Sequence, residues 1–201
     1  MPRPDGKAPW LLARCAQGAI AAVVVADVFR LVAVRGRLLH PTDASLSTSG
    51  FASMVFAYLM TLAVVLFLVW LGRCRRNAEV LSPGTAAVNG FWAVVAWLIP
   101  LVNFWVPRRF VLDIDRASAG PSAKGRNTVL VNAWWVALVG HTVVGAVEVR
   151  AGQGATIGFI AVSAGLNTAA AVLAVCVIER LTAQQGAALR AVSPVEPLAH
   201  A

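Results

Sequence analysis

Four ionisable side chains lie inside long apolar stretches of this sequence, where a charge is costly and marks a candidate functional site. Asp27 and Arg30 are three residues apart, a distance at which helical side chains pair. They predict either a substrate or proton site or an ion pair near the end of a helix. His141 and Glu148 are seven apart on one helical stripe. They predict either a proton relay or a histidine bonded to a neighbouring helix.

An uncharged candidate, Asn103, lies between Pro100 and Pro107 in the third apolar stretch. Proline removes a backbone donor and breaks regular helix, which exposes polar backbone groups that protein, water or a ligand must satisfy. The pattern therefore predicts either a ligand-binding break in a helix or an asparagine that caps the broken helix itself.

Enzyme chemistry has little support in the sequence. It contains no phosphate-binding loop, dinucleotide fingerprint, zinc-protease motif or nucleophile elbow. The three cysteines, Cys15, Cys74 and Cys176, are far apart, and no histidine stands at metal-ligand spacing from them. We predict three free thiols, no catalytic residue, no metal and no cofactor.

The elements that carry these residues are apolar segments. Of the 201 residues, 59% are hydrophobic and 13% are charged, so a soluble fold would lack the polar surface to cover itself. Segments of about 20 or more apolar residues can cross roughly 30 Å of hydrocarbon as helices. Five such segments are present, at residues 10–34, 50–71, 88–107, 128–149 and 155–178. We therefore predict an all-α integral membrane protein.

The basic residues give a formal net charge of +8 and cluster at the ends of the apolar segments. In that position they remain hydrated and meet anionic lipid headgroups, so a lipid bilayer is the predicted partner and nucleic acid is not. The predicted headgroup-binding collar comprises Arg73, Arg75, Arg76, Arg108 and Arg109.

Charge bias predicts the number of crossings. If all five segments cross, seven basic residues lie on one side of the membrane and nine on the other. If segment 88–107 enters and returns on the same side, thirteen basic residues lie on one side and three on the other. The positive-inside rule favours the second arrangement. We predict a bundle of four transmembrane helices plus one Pro-broken re-entrant or interfacial segment, with both termini cytoplasmic; five transmembrane helices are the alternative. Residues 10–185 form the membrane domain, between disordered tails at 1–9 and 186–201.

Several motifs in the central part of the chain occur in a characteristic order. They are Arg73-Cys-Arg-Arg-Asn-Ala-Glu79, Ser82-Pro83-Gly84, Trp97-x-x-Pro100-x-x-Asn103-x-Trp105-x-Pro107, Asp113-Ile114-x-Arg116-Ala117-Ser118 and Trp134-Trp135. With them, most of residues 50–185 resembles the bacterial membrane-protein family known as domain of unknown function 4328. The resemblance implies a multi-pass protein of the bacterial plasma membrane and brings no known activity or catalytic residue.

Two functions remain open. Small residues recur every four positions in two helices, which favours a membrane-embedded scaffold or interaction component with a membrane-protein partner or a second copy of itself. These stripes are Gly18, Ala22 and Ala26, and Ala161, Gly165 and Ala169. The alternative is a small-solute or ion transporter or channel built around the break between Pro100 and Pro107.

Overall fold

The described part of the chain forms five helices. The computed structural model describes residues 8–82, 106–118, 126–151 and 157–192, and no strand occurs in these ranges. The helices are α1 (Trp10–Leu39), α2 (Asp43–Leu81), α3 (Val106–Ser118), α4 (Arg126–Ala151) and α5 (Ile157–Val192). All except the short α3 are long and apolar enough to cross a membrane. The predicted all-α fold is confirmed, with four helices that have the length and composition to span a membrane.

Some of the predictions fall outside the described residues. They include nearly all of the segment predicted to re-enter at 88–107, most of the predicted tail at 1–9, and the end of the chain after residue 192. Only residues 106 and 107 of the re-entrant segment are described, and they form the first turn of α3.

The direction of the helices bears on the number of crossings. Near the carboxyl end of α2, Trp70 donates a hydrogen bond to Thr182 near the carboxyl end of α5. Near the amino end of α4, Asn132 accepts one from Arg108 of α3, and α3 packs on both α2 and α5. The carboxyl end of α2 and the amino end of α4 therefore lie at the same end of the bundle. Four crossings require this arrangement, whereas five would make α2 and α4 parallel.

We call this end the basic end, because ten of the fourteen arginines in the described helices lie there. They are Arg14, Arg73, Arg75, Arg76, Arg108, Arg109, Arg116, Arg126, Arg180 and Arg190, while Arg30, Arg35, Arg37 and Arg150 lie toward the opposite end. The core is also concentrated toward the basic end. There the Phe67 ring lies 5.5 Å from the Trp70 ring and 5.7 Å from the Trp134 ring, and Trp135 stacks edge-on against Trp134.

The segment at residues 35–49 is mostly helical and not the loop that its polar residues predict. Thr42 accepts a hydrogen bond from the backbone N–H of Ser45, and the Ser45 hydroxyl accepts one from the backbone N–H of Thr42. This capping box starts α2 seven residues before the apolar run. Further along, Thr48 bonds the carbonyl of Ala44, so its hydroxyl is satisfied within the helix. Only residues 40–42 remain between α1 and α2.

The helix α5 also runs farther than predicted, through residue 192 instead of ending near 178. Its last turns are amphipathic, and they bury Leu181, Gln185 and Leu189 at helical spacing against the bundle. A Cβ added at Gly186 would lie 3.4 Å from Ala8 Cβ and 3.7 Å from Trp10 Nε1, so this part of α5 passes close to the start of α1. Tertiary packing on one face therefore keeps residues 186–192, predicted as disordered tail, in helix.

The two predicted small-residue stripes differ in how they face the described helices. Ala161, Gly165 and Ala169 all lie on the exposed side of α5. A Cβ added at Gly18 or Gly165 would meet nothing within 4 Å. Of the two stripes, only Ala26 is buried. The α5 stripe is therefore part of the outer surface of the described bundle, whereas the α1 stripe runs from exposed Gly18 to buried Ala26.

Candidate functional site

The Asp27 carboxylate is almost completely buried, with 1% of its surface exposed. Its Oδ1 accepts a hydrogen bond from Arg30 Nε at 3.0 Å, and its Oδ2 accepts one from Asn167 Nδ2 of α5 at 2.7 Å. The Arg30 guanidinium also stacks 4.8 Å from the centre of the Phe56 ring of α2. We call this set the Asp27 cluster. It joins three helices, and both carboxylate oxygens already have donors.

A second polar contact lies one turn away along α5. His141 Nδ1 is 3.1 Å from the Ser163 carbonyl and 3.2 Å from the Ser163 hydroxyl. It donates to the carbonyl or accepts from the hydroxyl according to the tautomer. The structure thus places His141 in a hydrogen bond to a neighbouring helix. The Glu148 side chain and Asn103 lie outside the described part of the chain, so the relay with Glu148 and the asparagine break stay predictions.

The contact between His141 and Ser163 is a nucleophile and base pair that the sequence did not suggest, because the two residues are on different helices. A catalytic arrangement needs an accessible hydroxyl and a third group that orients the imidazole. Ser163 is 1% exposed, and the nearby Asp27 is bonded to Arg30 and Asn167. The arrangement is suited to joining α4 to α5.

The basic end contains a third polar group that sequence reasoning missed. Gln185, with no exposed surface, donates to the Cys74 carbonyl at 2.7 Å and to the Ser118 hydroxyl at 3.2 Å. Its Oε1 accepts from Asn77 Nδ2 at 3.3 Å. We call these four residues the Gln185 network. Through this network a single side chain of α5 bonds both α2 and α3. In the sequence, the signal for the network is the pair of polar residues Thr182 and Gln185 on the otherwise apolar buried face of α5.

The first turns of α1 are attached to α5 by an ion pair near the surface. Arg14 donates to both carboxylate oxygens of Glu179, at 2.9 and 3.2 Å, and Gln17 donates to the same carboxylate at 3.0 Å. Exposed ion pairs contribute little stability. Here the two-donor geometry mainly fixes the register of α1 against α5.

The arginines of the predicted collar divide into two groups. Arg76 and Arg109 are exposed, and Arg73 is half-buried, as a surface that meets lipid headgroups requires. Arg108 donates to Asn132 at 2.8 Å. Arg75 is 8% exposed, with its guanidinium 5.4 Å from the centre of the Phe110 ring. These last two arginines hold α3 in place.

The residue types that commonly bind metal ions are not clustered in the described part of the chain. Within the described ranges, no group of three or more His, Cys, Asp or Glu side chains is arranged to hold a metal ion. Cys15, Cys74 and Cys176 are free cysteines.

Comparison with known families bears on the central part of the chain. A family model described as a domain of unknown function, DUF4328, matches residues 35–183. The chain belongs to the DUF4328 family. The DUF4328 match runs from the end of α1 into the last turns of α5, so it contains the aromatic core and the contact between His141 and Ser163. Membership confirms the resemblance noted in the sequence. No curated protein and no solved structure matches the chain.

Proposed function

We propose that this DUF4328 protein is a scaffold of the bacterial plasma membrane that presents a rigid surface at its basic end to a protein partner. The partner is a membrane protein with an acidic segment near the bilayer surface. The observation that carries the proposal is the way in which α3 is fixed between the ends of α2 and α5. We call the unit of α3, residues 72–81 of α2 and residues 179–192 of α5 the platform.

Helix length supports a platform outside the hydrocarbon. The helices α2 and α5 have 39 and 36 residues, which corresponds to about 58 and 54 Å at 1.5 Å per residue. A bilayer core of about 30 Å therefore leaves several turns of each helix beyond it. Most of those turns in α5, and the last turns of α2, are at the basic end.

Fixed packing supports a binding role for α3. One face of this helix buries Phe110, Val111 and Ile114. Ser118 on the same face joins the Gln185 network. The opposite face carries Arg109 and an exposed ion pair of Asp113 with Arg116, at 3.1 Å. Because the packing already fixes the backbone of α3, binding of a partner to this face costs little backbone conformational entropy.

The orientation proposed for the platform is cytoplasmic, with both termini on that side. The excess of arginine at the basic end supports it through the positive-inside rule. Scaffolding fits the intramembrane polar groups better than transport, since both oxygens of Asp27 are engaged and His141 faces Ser163.

The test is chemical crosslinking in native membranes followed by quantitative mass spectrometry. We expect one membrane protein to crosslink to α3, with a yield reduced on the order of tenfold by the double substitution Arg109→Glu and Arg116→Glu. The matched control is Arg35→Glu with Arg37→Glu, which makes the same charge change at the opposite end and leaves the yield unchanged. Equal loss in both variants, or no specific crosslink to the wild type, would contradict a platform.

A flux assay in proteoliposomes separates scaffolding from transport. We expect the wild-type protein to give the same proton and solute flux as protein-free vesicles. The variants Asn103→Leu and His141→Leu are expected to give that same flux. Flux through the wild-type protein that these substitutions abolish would instead favour the transporter.

A further inference from the structure

A groove of about 670 Å³ runs along the outside of the bundle between α2 and α3. This volume is within the range of small-molecule sites, roughly 300–1,000 Å³. The walls are mainly apolar at one end and charged at the other. Among the lining residues are Leu68, Val69, Gly72, Arg75, Arg76 and Phe110.

The charged end of the groove contains a buried guanidinium nitrogen that has no partner. Arg75 Nε lies 3.6 Å from Glu79 Oε1, which is longer than a hydrogen bond. The Phe110 ring covers the guanidinium, and among the described residues the buried Arg75 Nη1 has no hydrogen-bond partner. A buried charged donor without an acceptor is costly. The groove thus lacks an acceptor at Arg75.

The length of the groove along α2 matches the hydrocarbon thickness of one bilayer leaflet. Its apolar wall begins at Val65 and reaches Arg75 ten residues later. At the helical rise this distance is about 15 Å, half of a hydrocarbon core of about 30 Å. A molecule that fills the groove therefore needs an apolar chain in the hydrocarbon and an anionic group at headgroup level.

We propose that the groove between α2 and α3 is a binding site for one anionic phospholipid, with an acyl chain along α2 and the phosphate on Arg75 and Arg76. Arginine is suited to phosphate, because its planar fork of donors can bond two phosphate oxygens. The Glu79 carboxylate at the same end repels a phosphate, and the two guanidinium groups outnumber it. The site is distinct from the platform's exposed face and does not depend on the proposed partner.

Native mass spectrometry of the detergent-purified full chain tests the proposal. The ligand probes are phosphatidylglycerol and phosphatidylcholine with identical acyl chains. We expect the first phosphatidylglycerol to bind on the order of tenfold more tightly than phosphatidylcholine, and Arg75→Gln to remove that preference. The control Arg73→Gln makes the same charge change on a residue outside the groove lining, and it is expected to keep the preference.

A second variant tests the groove independently of charge. A Cβ on Gly72 meets nothing within 4 Å, and Gly72 lines the groove, so Gly72→Leu adds side-chain volume there with room for its first carbon. It is expected to lower phosphatidylglycerol binding on the order of tenfold, whereas Gly18→Leu, at another open glycine, has no effect. If Arg75→Gln does not fold, this pair decides the question.

Three results would overturn the proposal. The first is equal loss of binding in Arg75→Gln and Arg73→Gln, which would mean that the whole basic surface attracts lipid. The second is binding of water-soluble glycerol phosphate as tight as that of the lipid. The third is Gly72→Leu destabilising the protein with lipid binding unchanged, which would mean that the lipid does not occupy the groove.

Discussion

Gln185→Ala is the substitution that probes the platform most directly. The side chain is completely buried and makes three hydrogen bonds, to the Cys74 carbonyl, the Ser118 hydroxyl and the Asn77 amide. Its removal leaves the partners on α2 and α3 without their bond to α5. We expect the platform to open more often while the rest of the bundle stays folded.

The size of the effect follows from the geometry. A typical intramolecular hydrogen bond contributes about 1 kcal/mol net, and of the three bonds of Gln185 only the one to the Cys74 carbonyl is short, at 2.7 Å. The other two, at 3.2 and 3.3 Å, are weaker. We therefore expect the opening free energy to fall by about 2 to 3 kcal/mol. An equilibrium constant changes tenfold for every 1.4 kcal/mol, so opening becomes roughly 30 to 150 times more frequent.

The assay uses Cys74, which lies in the network and has no exposed surface. In a background that replaces the exposed Cys15 and Cys176 by serine, the rate of thiol labelling reports the opening of the platform. The rate is expected to rise roughly 30- to 150-fold in Gln185→Ala, in proportion to the opening constant. Gln184→Ala shortens the same side chain at the next position and is the control. It removes an Oε1 that is buried without a hydrogen-bond partner among the described residues, so it should not raise the rate.

Equal labelling rates in the two glutamine variants would refute this reasoning. That result would mean that apolar packing of α3 on α2 and α5, and not the buried amide, holds the platform closed. A loss of helical signal in Gln185→Ala would also contradict it, because the prediction is a local opening of an otherwise folded bundle.

Two further predictions concern the bundle and its topology. Asn167→Leu removes one of the two donors to the buried Asp27 carboxylate and should lower the free energy of unfolding in detergent by about 1 to 3 kcal/mol. The control Thr168→Leu, on the exposed side of the same helix, should change this free energy little. Equal effects of the two substitutions would contradict a stabilising role for the bond between Asn167 and Asp27. In a cysteine-free background, an impermeant thiol reagent applied to intact cells should label Asp43→Cys and spare Arg116→Cys, and labelling at both would contradict four crossings.

The sequence predicted the spanning helices well because long apolar runs are a direct consequence of hydrocarbon thickness. It placed their ends poorly. Helix ends outside the membrane depend on local bonds and tertiary contacts, such as the capping box of Thr42 with Ser45 and the burial of Gln185 and Leu189. The composition of these segments is polar, so an argument from hydropathy alone interprets them as loop or tail.

The candidate site shows the same division. The pair of Asp27 with Arg30 was predictable because it depends on spacing within one helix. Asn167, 140 positions away from Asp27 in the chain, was not predictable, because only the packing of α1 against α5 brings it there. Spacing also suggested that Arg75 belongs to a hydrated collar. The covering Phe110 ring comes from α3, and spacing within α2 does not indicate that another helix covers Arg75.

The positions of the polar contacts give these helices a physical reason to stay together. Within a bilayer, lipid tails are as apolar as the helices, so burial of leucine or valine gives little drive for association. The described bundle instead has the Asp27 cluster toward one end and the Gln185 network at the other, with aromatic packing around Trp70 and Trp134. Fixed polar contacts at both ends determine which helices are neighbours. They also leave the small-residue stripe of α5 outside, where it takes no part in holding the described bundle together.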